Sequence, residues 1–286
     1  MSEALAEAER WIRSHLGTAV AGRQSVGGGC INENYHLILR DGRELFCKTH
    51  PAPPEDFFAS EARALARAAA TGTLVVPEVV HAETHFLLMA WVEPKSPEAE
   101  DWSDLGEALA GLHRQIRPEF GLDSRTYCGL TPLDNTPDAN GYRFFSERRL
   151  KPLARELHLR GDLSAGALNA LDVLCERLPE LIPEQPASLL HGDFWSGNVM
   201  FADNGPVYLD PAQYHGWREA DLAMSRLFGS LSPAFYAAYN ATWPLEPGFE
   251  RRCDLYNLFH LLNHARLFGP SYIPSVLGIL RPFTPR

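Results

Sequence analysis

In the first part of the chain, apolar residues recur with the period of a helix in some segments and with the period of a strand in others. Residues 3–16 place their apolar side chains on one side of a helix, and residues 54–70 predict a second helix with a proline near its start. Between them the turn signal DGR precedes ELFCKTH, in which Leu45 and Cys47 are expected on one face of a strand and Lys48 on the other. The runs VVPEVVHA and HFLLMAWV add two apolar stretches, so a small antiparallel sheet with helices is predicted.

A polar, proline-bearing break over residues 93–101 separates this part from a mainly helical one. Helical periods then dominate over residues 102–116, 142–159, 164–178, 219–229 and 248–268, interrupted by LLHGDFWSGNVM and VYLDPAQY. We therefore expect an α+β protein of two lobes: an N-terminal sheet lobe over residues 1–92 and a larger helical C-terminal lobe over residues 93–286. A cleft between two lobes is a usual place for a ligand.

Composition narrows the class of protein. Hydrophobic residues make up 45% of 286 positions, enough for a packed core, and no apolar run is long enough to cross a membrane. The acidic N-terminus does not resemble a signal peptide, so a cytoplasmic protein is expected. A net charge of −10 argues against a nucleic-acid surface, although a local pocket can still bind an anion. Five scattered cysteines without a C-x-x-C pair indicate reduced thiols rather than a disulfide framework or a zinc site.

The segment LLHGDFWSGNVM carries the clearest chemical pattern. His191, Asp193 and Asn198 have the spacing of the protein-kinase catalytic loop, in which the aspartate accepts the proton of the substrate hydroxyl and the asparagine holds a magnesium ion. His191 itself is expected to brace the loop. Asp210 ends an apolar strand, as the metal-binding aspartate of D-F-G does. Two aspartates and an asparagine supply the oxygen ligands that Mg²⁺ prefers.

The other residues that kinases use for ATP have counterparts earlier in the chain. Lys48 follows a glycine-rich turn, where it can hold the α- and β-phosphates of ATP, and Glu61 lies in the next helix, where it can pair with Lys48. Asp210-Pro211-Ala212 replaces D-F-G, and no A-P-E motif follows. The ordered pieces predict a kinase, and these departures favour a small-molecule kinase over a protein kinase.

LLHGDFWSGNV, followed by GPVYLDPAQYHGWREADLAMSRLFG, resembles the fructosamine kinase family, also called ketosamine or protein-ribulosamine kinases, which are relatives of aminoglycoside and choline kinases. The segments GGGCI, CGL and LYNLFHLLNHARLFG are similar to that family as well, so the resemblance covers nearly the whole chain. It implies a protein-kinase-like fold. It also implies that ATP phosphorylates a hydroxyl of a sugar joined as a ketoamine to a small amine or a protein lysine, after which the unstable adduct falls off and the amine is repaired.

The resemblance also implies roles for particular residues. Asp193 is expected to be the catalytic base, with Asn198 and Asp210 as ligands of Mg²⁺. The nucleotide-binding residues that it implies are the loop residues Gly28, Gly29 and Cys30, the pair Lys48 and Glu61, and the hinge Met89, Ala90, Trp91 and Val92. Trp195 is expected to face the sugar. Cys30 is a candidate redox switch or dimer link, so a monomer and a redox-dependent dimer are both open.

Several side chains outside these motifs have simpler interpretations. His260 and His264 lie on one helical face, but without an H-E-x-x-H motif we expect packing for His260 and a wall of the substrate pocket for His264. Asp221 is expected to organise the start of a helix, and Arg148 and Arg149 to lie on a solvated face.

Two other functions compete with ketosamine phosphorylation. One is a related kinase for an aminoglycoside, a choline-like amine or a free sugar, and the Trp195 motif with the late LLNHARLFG segment favours the ketosamine over it. The other is a non-catalytic, nucleotide-binding pseudokinase. The presence of Lys48, Asp193, Asn198 and Asp210 argues against that second alternative.

Overall fold

The first third of the chain forms an antiparallel sheet flanked by two helices, which we call the sheet part. The computed structural model describes residues 2–27 and 31–284. The elements of the sheet part are α1 (Glu3–His15), β1 (Val20–Ser25), β2 (Glu33–Leu39), β3 (Glu44–Thr49), α2 (Phe57–Ala70), β4 (Val79–Ala82) and β5 (Phe86–Ala90). The five strands pair antiparallel in the order β1-β2-β3-β5-β4.

The alternation along β3 assigns its two faces as the sequence predicted. Leu45 and Cys47 are buried against α1 on one face of the sheet. Phe46 packs with the cluster of α2 on the opposite face, and the Lys48 ammonium reaches Glu61 of α2 on that same side. Because successive side chains of a strand point to opposite faces, burying Leu45 and Cys47 under α1 directs Lys48 toward α2.

The rest of the chain, which we call the helical part, contains eight helices up to residue 284 and short sheets of two or three strands. Its helices are α3 (Ala99–His113), α4 (Gly141–Phe145), α5 (Lys151–Leu159), α6 (Ala165–Leu181), α7 (Glu219–Leu227), α8 (Pro233–Thr242), α9 (Phe249–Phe268) and α10 (Ile273–Leu280). A π-helical turn, Ser146–Leu150, joins α4 to α5, and 3₁₀ turns lie at Ser196–Asn198, Pro270–Tyr272 and Arg281–Phe283. Its strands are β6 (Ile116–Arg117), β7 (Thr126–Cys128), β8 (Thr131–Leu133), β9 (Ala187–Leu189), β10 (Val199–Ala202), β11 (Gly205–Tyr208) and β12 (His215–Gly216).

The predicted helices are present, with changes at their ends and two additions. Helix α3 begins at Ala99 rather than at residue 102, because the Asp101 carboxylate accepts a hydrogen bond of 2.8 Å from Glu98 N and caps the first turn. Helices α8 and α10 were missed, although Ser232-Pro233 is a standard start signal for the former. No helix within the described residues has both the length and the apolar composition needed to cross a membrane.

Helix α2 ties the sheet part to the helical part. Ser60 Oγ donates a hydrogen bond of 3.0 Å to Arg125 O. In the opposite direction, Tyr127 Oη donates one of 2.6 Å to Glu55 O, just before the helix. Since α2 also carries Glu61, these contacts fix the partner of Lys48 relative to the helical part.

The expectation of a solvated face is wrong for Arg149. Its side chain is 0% exposed, and its guanidinium lies 4.6 Å from the ring centroid of Phe144 and 4.1 Å from that of Tyr214. Nη1 donates to Asp134 O at 2.8 Å, and Nη2 donates to Asn135 Oδ1 at 2.6 Å. Ring faces and fixed acceptors replace water around the buried cation.

We expect Arg149→Ala to lower the free energy of unfolding by about 2–4 kcal/mol, because the Asn135 amide and two backbone carbonyls lose their buried donor. Arg148→Ala is the matched control, since Arg148 pairs with Asp134 near the surface. That change is expected to cost less than about 1 kcal/mol. Urea denaturation followed by circular dichroism measures both effects. Equal losses in the two variants would contradict a structural role special to Arg149.

Candidate active site

The segment His191–Asp193 turns sharply after β9, and the turn depends on Gly192. Gly192 has a φ of 84°, a conformation that side chains rarely adopt. A Cβ atom at this position would lie 2.1 Å from Ala212 O, a backbone atom that has little room to move. The glycine of HGD therefore allows the catalytic-loop backbone to pass directly beside the segment that follows Asp210.

The buried carboxylate of Asp221 stabilises this turn through hydrogen bonds to its backbone. It accepts hydrogen bonds from His191 N at 2.6 Å and Gly192 N at 2.9 Å, and it lies 3.1 Å from His113 Nε2. Burial alone would raise the pKa of Asp221, but the hydrogen bonds and nearby His113 and His191 bring it below its ordinary value. Asp221 lies in the first turn of α7, as expected, but its side chain organises the catalytic loop rather than only the start of that helix.

His191 braces the loop, as predicted. Its Nδ1 accepts a hydrogen bond of 3.2 Å from Asp193 N, so Nε2 is the atom that donates to Leu209 O at 2.9 Å. Burial lowers the pKa of His191 to about 4, which keeps the imidazole in the neutral form that this pattern requires. The ring thereby links the backbone before Asp193 to the residue that precedes Asp210.

Asp193 and Asn198 lie together at the end of this loop. Asn198 Nδ2 donates to Asp193 O at 2.8 Å and to Asp193 Oδ2 at 3.2 Å. Burial raises the pKa of Asp193 to about 7; the Asn198 hydrogen bond opposes this rise, and the negative charge of Asp221 adds to it. A carboxyl group with this pKa is balanced between its acid and base forms near neutral pH, as proton-transfer groups in enzymes often are.

Lys48 joins the sheet part to this loop. Its ammonium lies 2.5 Å from Glu61 Oε1 and also forms an ion pair with Asp210. The Lys48 side chain is 4% exposed, so the charge is held almost entirely by these two carboxylates. Asp210 has a φ of 53°, a left-handed conformation that is uncommon outside glycine and that is often found at functional sites.

A cavity of about 470 Å³ brings six of the predicted site residues together. Its lining includes Glu61, Asp193, Asn198 and Asp210, together with Trp195 and His264, and Lys48 lies directly behind two of the carboxylates. The described lining residues include three carboxylates and no lysine or arginine. The cavity is therefore suited to a neutral or cationic ligand next to the site where phosphate charge would be held.

One side of the cavity is aromatic, and we call it the aromatic wall. It consists of Trp195, Phe228, His264, Phe268 and Tyr272. The ring centroid of Phe228 lies 6.3 Å from that of Trp195 and 4.8 Å from that of His264, which in turn lies 5.2 Å from Tyr272. Burial lowers the pKa of His264, so this histidine belongs to the wall as a neutral ring.

The remaining predicted residues lie elsewhere. Gly28, Gly29 and Cys30 are outside the described residues. Met89, Ala90, Trp91 and Val92 form the end of β5 and the segment after it, as a hinge would, and none of these four lines the 470 Å³ cavity. The Trp91 ring stacks on His36 of β2 with a centroid distance of 3.7 Å.

The sequence reasoning missed several residues that line the cavity. Asn32 and Asn34 do so from β2 and the turn before it, and Phe228 and Tyr272 complete the aromatic wall. The asparagines belong to the INEN segment, which follows the glycine cluster and Cys30. Their position next to that cluster could have indicated that they line the site. Phe228 and Tyr272 follow the ends of α7 and α9, where no local pattern distinguishes them from ordinary packing residues.

The architecture defines a class of protein by its fold, the protein-kinase-like fold of the aminoglycoside phosphotransferases. The gentamicin complex of the aminoglycoside phosphotransferase APH(2'')-IIa aligns with a TM-score of 0.65 over 99% of this chain and 96% of that chain. At 13% sequence identity this likeness shows the fold alone. The predicted α+β, kinase-like architecture is therefore confirmed.

Within that class, the fructosamine kinase family model matches residues 4–283, and the chain belongs to this family. A probable ketoamine kinase of Synechocystis is 38% identical over 271 residues, which cover 91% of this chain and 89% of that protein. The ketosamine-3-kinase of Mus musculus is 32% identical over 307 residues, which cover 96% and 98% of the two chains. A crystal structure of a Thermobifida fusca protein described as a fructosamine-3-kinase aligns with a TM-score of 0.88 at 32% identity, over 96% of this chain and 97% of that chain.

The predicted family is thus confirmed, and with it an ATP-dependent phosphotransferase activity toward a hydroxyl group. The residues of the kinase-type order form two contacting groups in space, Lys48 with Glu61 and Asp210, and Asp193 with Asn198. The carboxylates and the amide of both groups line one cavity.

The raised pKa of Asp193 predicts a pH-dependent stability. The folded state binds this proton more tightly than the unfolded state, whose aspartate has a pKa near 3.8, so the free energy of unfolding should fall as pH rises from about 4 to about 7. Asp193→Asn removes the titration. The free energy of unfolding of the variant, relative to that of wild type, should therefore increase as pH rises through this window. Urea denaturation at about pH 5 and about pH 8 measures the change.

Asp123→Asn is the control for this measurement, because the Asp123 side chain is 80% exposed. The stability of that variant is expected to follow wild type across the same window. A stability difference between Asp193→Asn and wild type that stays constant with pH would show that Asp193 does not have a raised pKa.

Proposed function

We propose that the protein phosphorylates a sugar hydroxyl of a ketosamine with ATP, using Asp193 as the base, so that the amine is freed from its sugar. The observation that carries this proposal is the position of Asp193. Its carboxyl group lines the same 470 Å³ cavity as Glu61 and Asp210, which pair with Lys48, and as the aromatic wall. Phosphorylation makes the hydroxyl a better leaving group, and loss of that group breaks the adduct down.

Asp193 orients the attacking hydroxyl and takes its proton. Asn198 holds the carboxylate through Nδ2, and His191 and Asp221 hold the backbone on which it stands. The charge of Asp221 and the burial of Asp193 both favour the protonated form, which makes Asp193 a stronger base than an exposed aspartate. Alignment of the hydroxyl is the main demand on the protein, because phosphoryl transfer depends largely on positioning and charge stabilisation.

Lys48 provides positive charge for the phosphates of ATP. Glu61 keeps the ammonium on the cavity side of the sheet, and Asp210 is the second carboxylate that it contacts. Bound phosphate oxygens are stronger competitors for an ammonium than a single carboxylate, so we expect Lys48 to share its charge with the nucleotide. The glycine-rich segment with Gly28, Gly29 and Cys30 is assigned to cover the phosphates.

Asn198 and Asp210 are the proposed ligands of Mg²⁺. The donor set fits this ion, since both side chains offer oxygen atoms and both line the same cavity. Asn198 uses its amide nitrogen within the loop, which leaves its oxygen for a metal. Asp210 has a left-handed backbone, as functional residues with a fixed orientation often do. When bound, Mg²⁺ neutralises phosphate charge during transfer.

The chemistry of the cavity favours a ketosamine over an anionic sugar. Trp195 gives the apolar C–H face of a sugar a surface on which to rest. The linking amine of a ketosamine is a cation at neutral pH, and the aromatic wall and the carboxylates both attract a cation. Phe228 and Phe268 are 41% and 44% exposed, so the wall reaches the surface, where an amine on a protein could enter as well as a small molecule.

The two-lobe division belongs to the same proposal. We assign residues 1–92 to a nucleotide-binding lobe and residues 93–286 to a catalytic and substrate-binding lobe. Met89, Ala90, Trp91 and Val92 would then contact adenine where the chain leaves β5. Cys30 is assigned as the residue through which oxidation would change activity or link two copies of the chain.

Asp193→Asn is expected to reduce kcat by about 10²–10⁴-fold, because the amide cannot accept the hydroxyl proton. The affinity for ATP should change little, since Lys48 and Asp210 are intact. Single-turnover kinetics and nucleotide titration separate the two quantities. Turnover close to wild type would exclude Asp193 as the base.

The substrate class is tested by measuring ATP consumption with a panel of ketoamines, free sugars and aminoglycosides. Ketoamines on an amine or on a lysine are expected to have the highest kcat/KM, because they alone in the panel combine a small sugar with a linking cation. A preference for free sugars or aminoglycosides would contradict the ketosamine assignment while leaving the kinase activity in place.

Lys48→Met is expected to lower kcat/KM for ATP by about 10²-fold, since a buried phosphate donor is lost. Lys95→Met is the matched control, because Lys95 pairs with Asp101 outside the cavity lining. Initial rates at several ATP concentrations measure both variants. If the two variants behaved alike, Lys48 would have no special role in nucleotide binding.

A further inference from the structure

Three potential metal ligands from separate parts of the chain meet beside the catalytic base. Cys128 ends β7, Asp193 stands in the catalytic loop, and His260 lies in the middle of α9. The donor atoms of the three side chains all lie within 4.8 Å of one another. Cys128 and Asp193 line the 470 Å³ cavity, so the cluster lies at its wall and is reached through it.

The imidazole of His260 is the unexplained member of this group. The side chain is 3% exposed, and its Nδ1 has no hydrogen-bond partner among the described residues. That nitrogen lies 3.9 Å from Asp193 Oδ1, too far for a hydrogen bond and near enough to share a ligand. Buried polar atoms nearly always have hydrogen-bond partners or bind a metal, so an unpaired nitrogen next to a carboxylate and a thiol indicates a binding site for a ligand.

We propose that Cys128, Asp193 and His260 form an inhibitory site for a borderline transition-metal ion, with Zn²⁺ as the physiological candidate. Thiolate, imidazole and carboxylate are the side chains that bind zinc, whereas Mg²⁺ prefers oxygen ligands alone. Three protein ligands leave the fourth tetrahedral position open toward the cavity for water. The thiol proton of Cys128 passes to solvent as the sulfur–metal bond forms.

The geometry needs only a small adjustment to hold the ion. Ligand atoms around tetrahedral zinc lie about 3.3–3.8 Å apart, given its usual bond lengths. The His260–Asp193 separation of 3.9 Å is already close to this range, and the largest separation in the cluster is at most 4.8 Å. Shortening the largest separation by about 1 Å would suffice. The site was not visible from sequence, since it has one cysteine and no paired zinc-binding motif.

An ion at this place would occupy the carboxylate that the sugar hydroxyl needs. Zinc and the ketosamine should therefore exclude one another, whereas Lys48 pairs with Glu61 and Asp210, neither of which belongs to the cluster. This inhibition rests on the proposed function of Asp193. Metal binding does not depend on that function, so metal binding and inhibition are measured separately.

Cobalt(II) is the probe for binding, because tetrahedral Co²⁺ with a thiolate ligand has visible d–d bands and a near-ultraviolet sulfur-to-metal absorption. The full-length protein without nucleotide is titrated with Co²⁺ and then with Zn²⁺. We expect one equivalent to give both absorptions, and Zn²⁺ to abolish them. Absence of the sulfur-to-metal band in the wild-type protein would overturn the proposal whatever the variants show.

Variants then locate the site. Cys128→Ala and Cys128→Ser should each remove the sulfur-to-metal band, and His260→Ala should weaken Co²⁺ binding by about tenfold or more. Cys175→Ala and Cys253→Ala are the matched thiol controls and should keep the band. Persistence of the band in both Cys128 variants, or its loss in any control, would assign the metal to another place. Circular dichroism spectra establish that each variant is folded.

The kinetic test adds Zn²⁺ to the kinase assay at saturating Mg²⁺ and ATP. Inhibition is expected to be competitive with the ketosamine, and a chelator selective for zinc over magnesium should reverse it. For each protein, the rate with zinc is divided by the rate without zinc. The zinc concentration that halves this ratio should be at least about tenfold higher for Cys128→Ser than for wild type. Cobalt binding at the site without zinc inhibition would refute the inhibitory role and also count against Asp193 as the base.

Discussion

The buried carboxylate of Asp221 is the interaction on which the arrangement of the active site depends. It binds two successive backbone N–H groups, those of His191 and Gly192, and it faces the imidazole of His113. A buried carboxylate is costly without such partners, and buried backbone donors are costly without such an acceptor. Each side therefore requires the other, and the turn before Asp193 has one well-defined geometry.

The same constraint reaches Asp210 through backbone contacts. Gly192 lets the loop approach Ala212 so closely that a side chain would not fit, and His191 bonds to the carbonyl of Leu209. Leu209 and Ala212 flank Asp210, so the proposed base and the proposed metal ligand are positioned by one set of contacts. Lys48 then couples this set to the sheet part through Glu61 and Asp210.

The cavity combines features that have different physical purposes. Three carboxylates line it, with the ammonium of Lys48 against two of them, and the aromatic wall reaches the surface at Phe228 and Phe268. In the proposed function, a sugar linked to a cationic amine contacts both, with the hydroxyl near Asp193 and the amine among the rings. The orphan nitrogen of His260 lies just behind this place, where a zinc ion would compete for the same carboxylate.

The sequence by itself determined the features that depend on local spacing. Alternation in β3 put Lys48 on the face of Glu61, and the spacing within HGDFWSGN put Asp193 next to Asn198, because strand and turn geometry act over only a few residues. The family followed from the same short motifs. Contacts between distant segments were decided by tertiary structure alone. Arg149 looked like a surface charge, yet packing of Phe144 and Tyr214 around it made it a core residue. Likewise, the meeting of Cys128, Asp193 and His260 arises only when β7, the catalytic loop and α9 pack together, and no spacing along the chain records that packing.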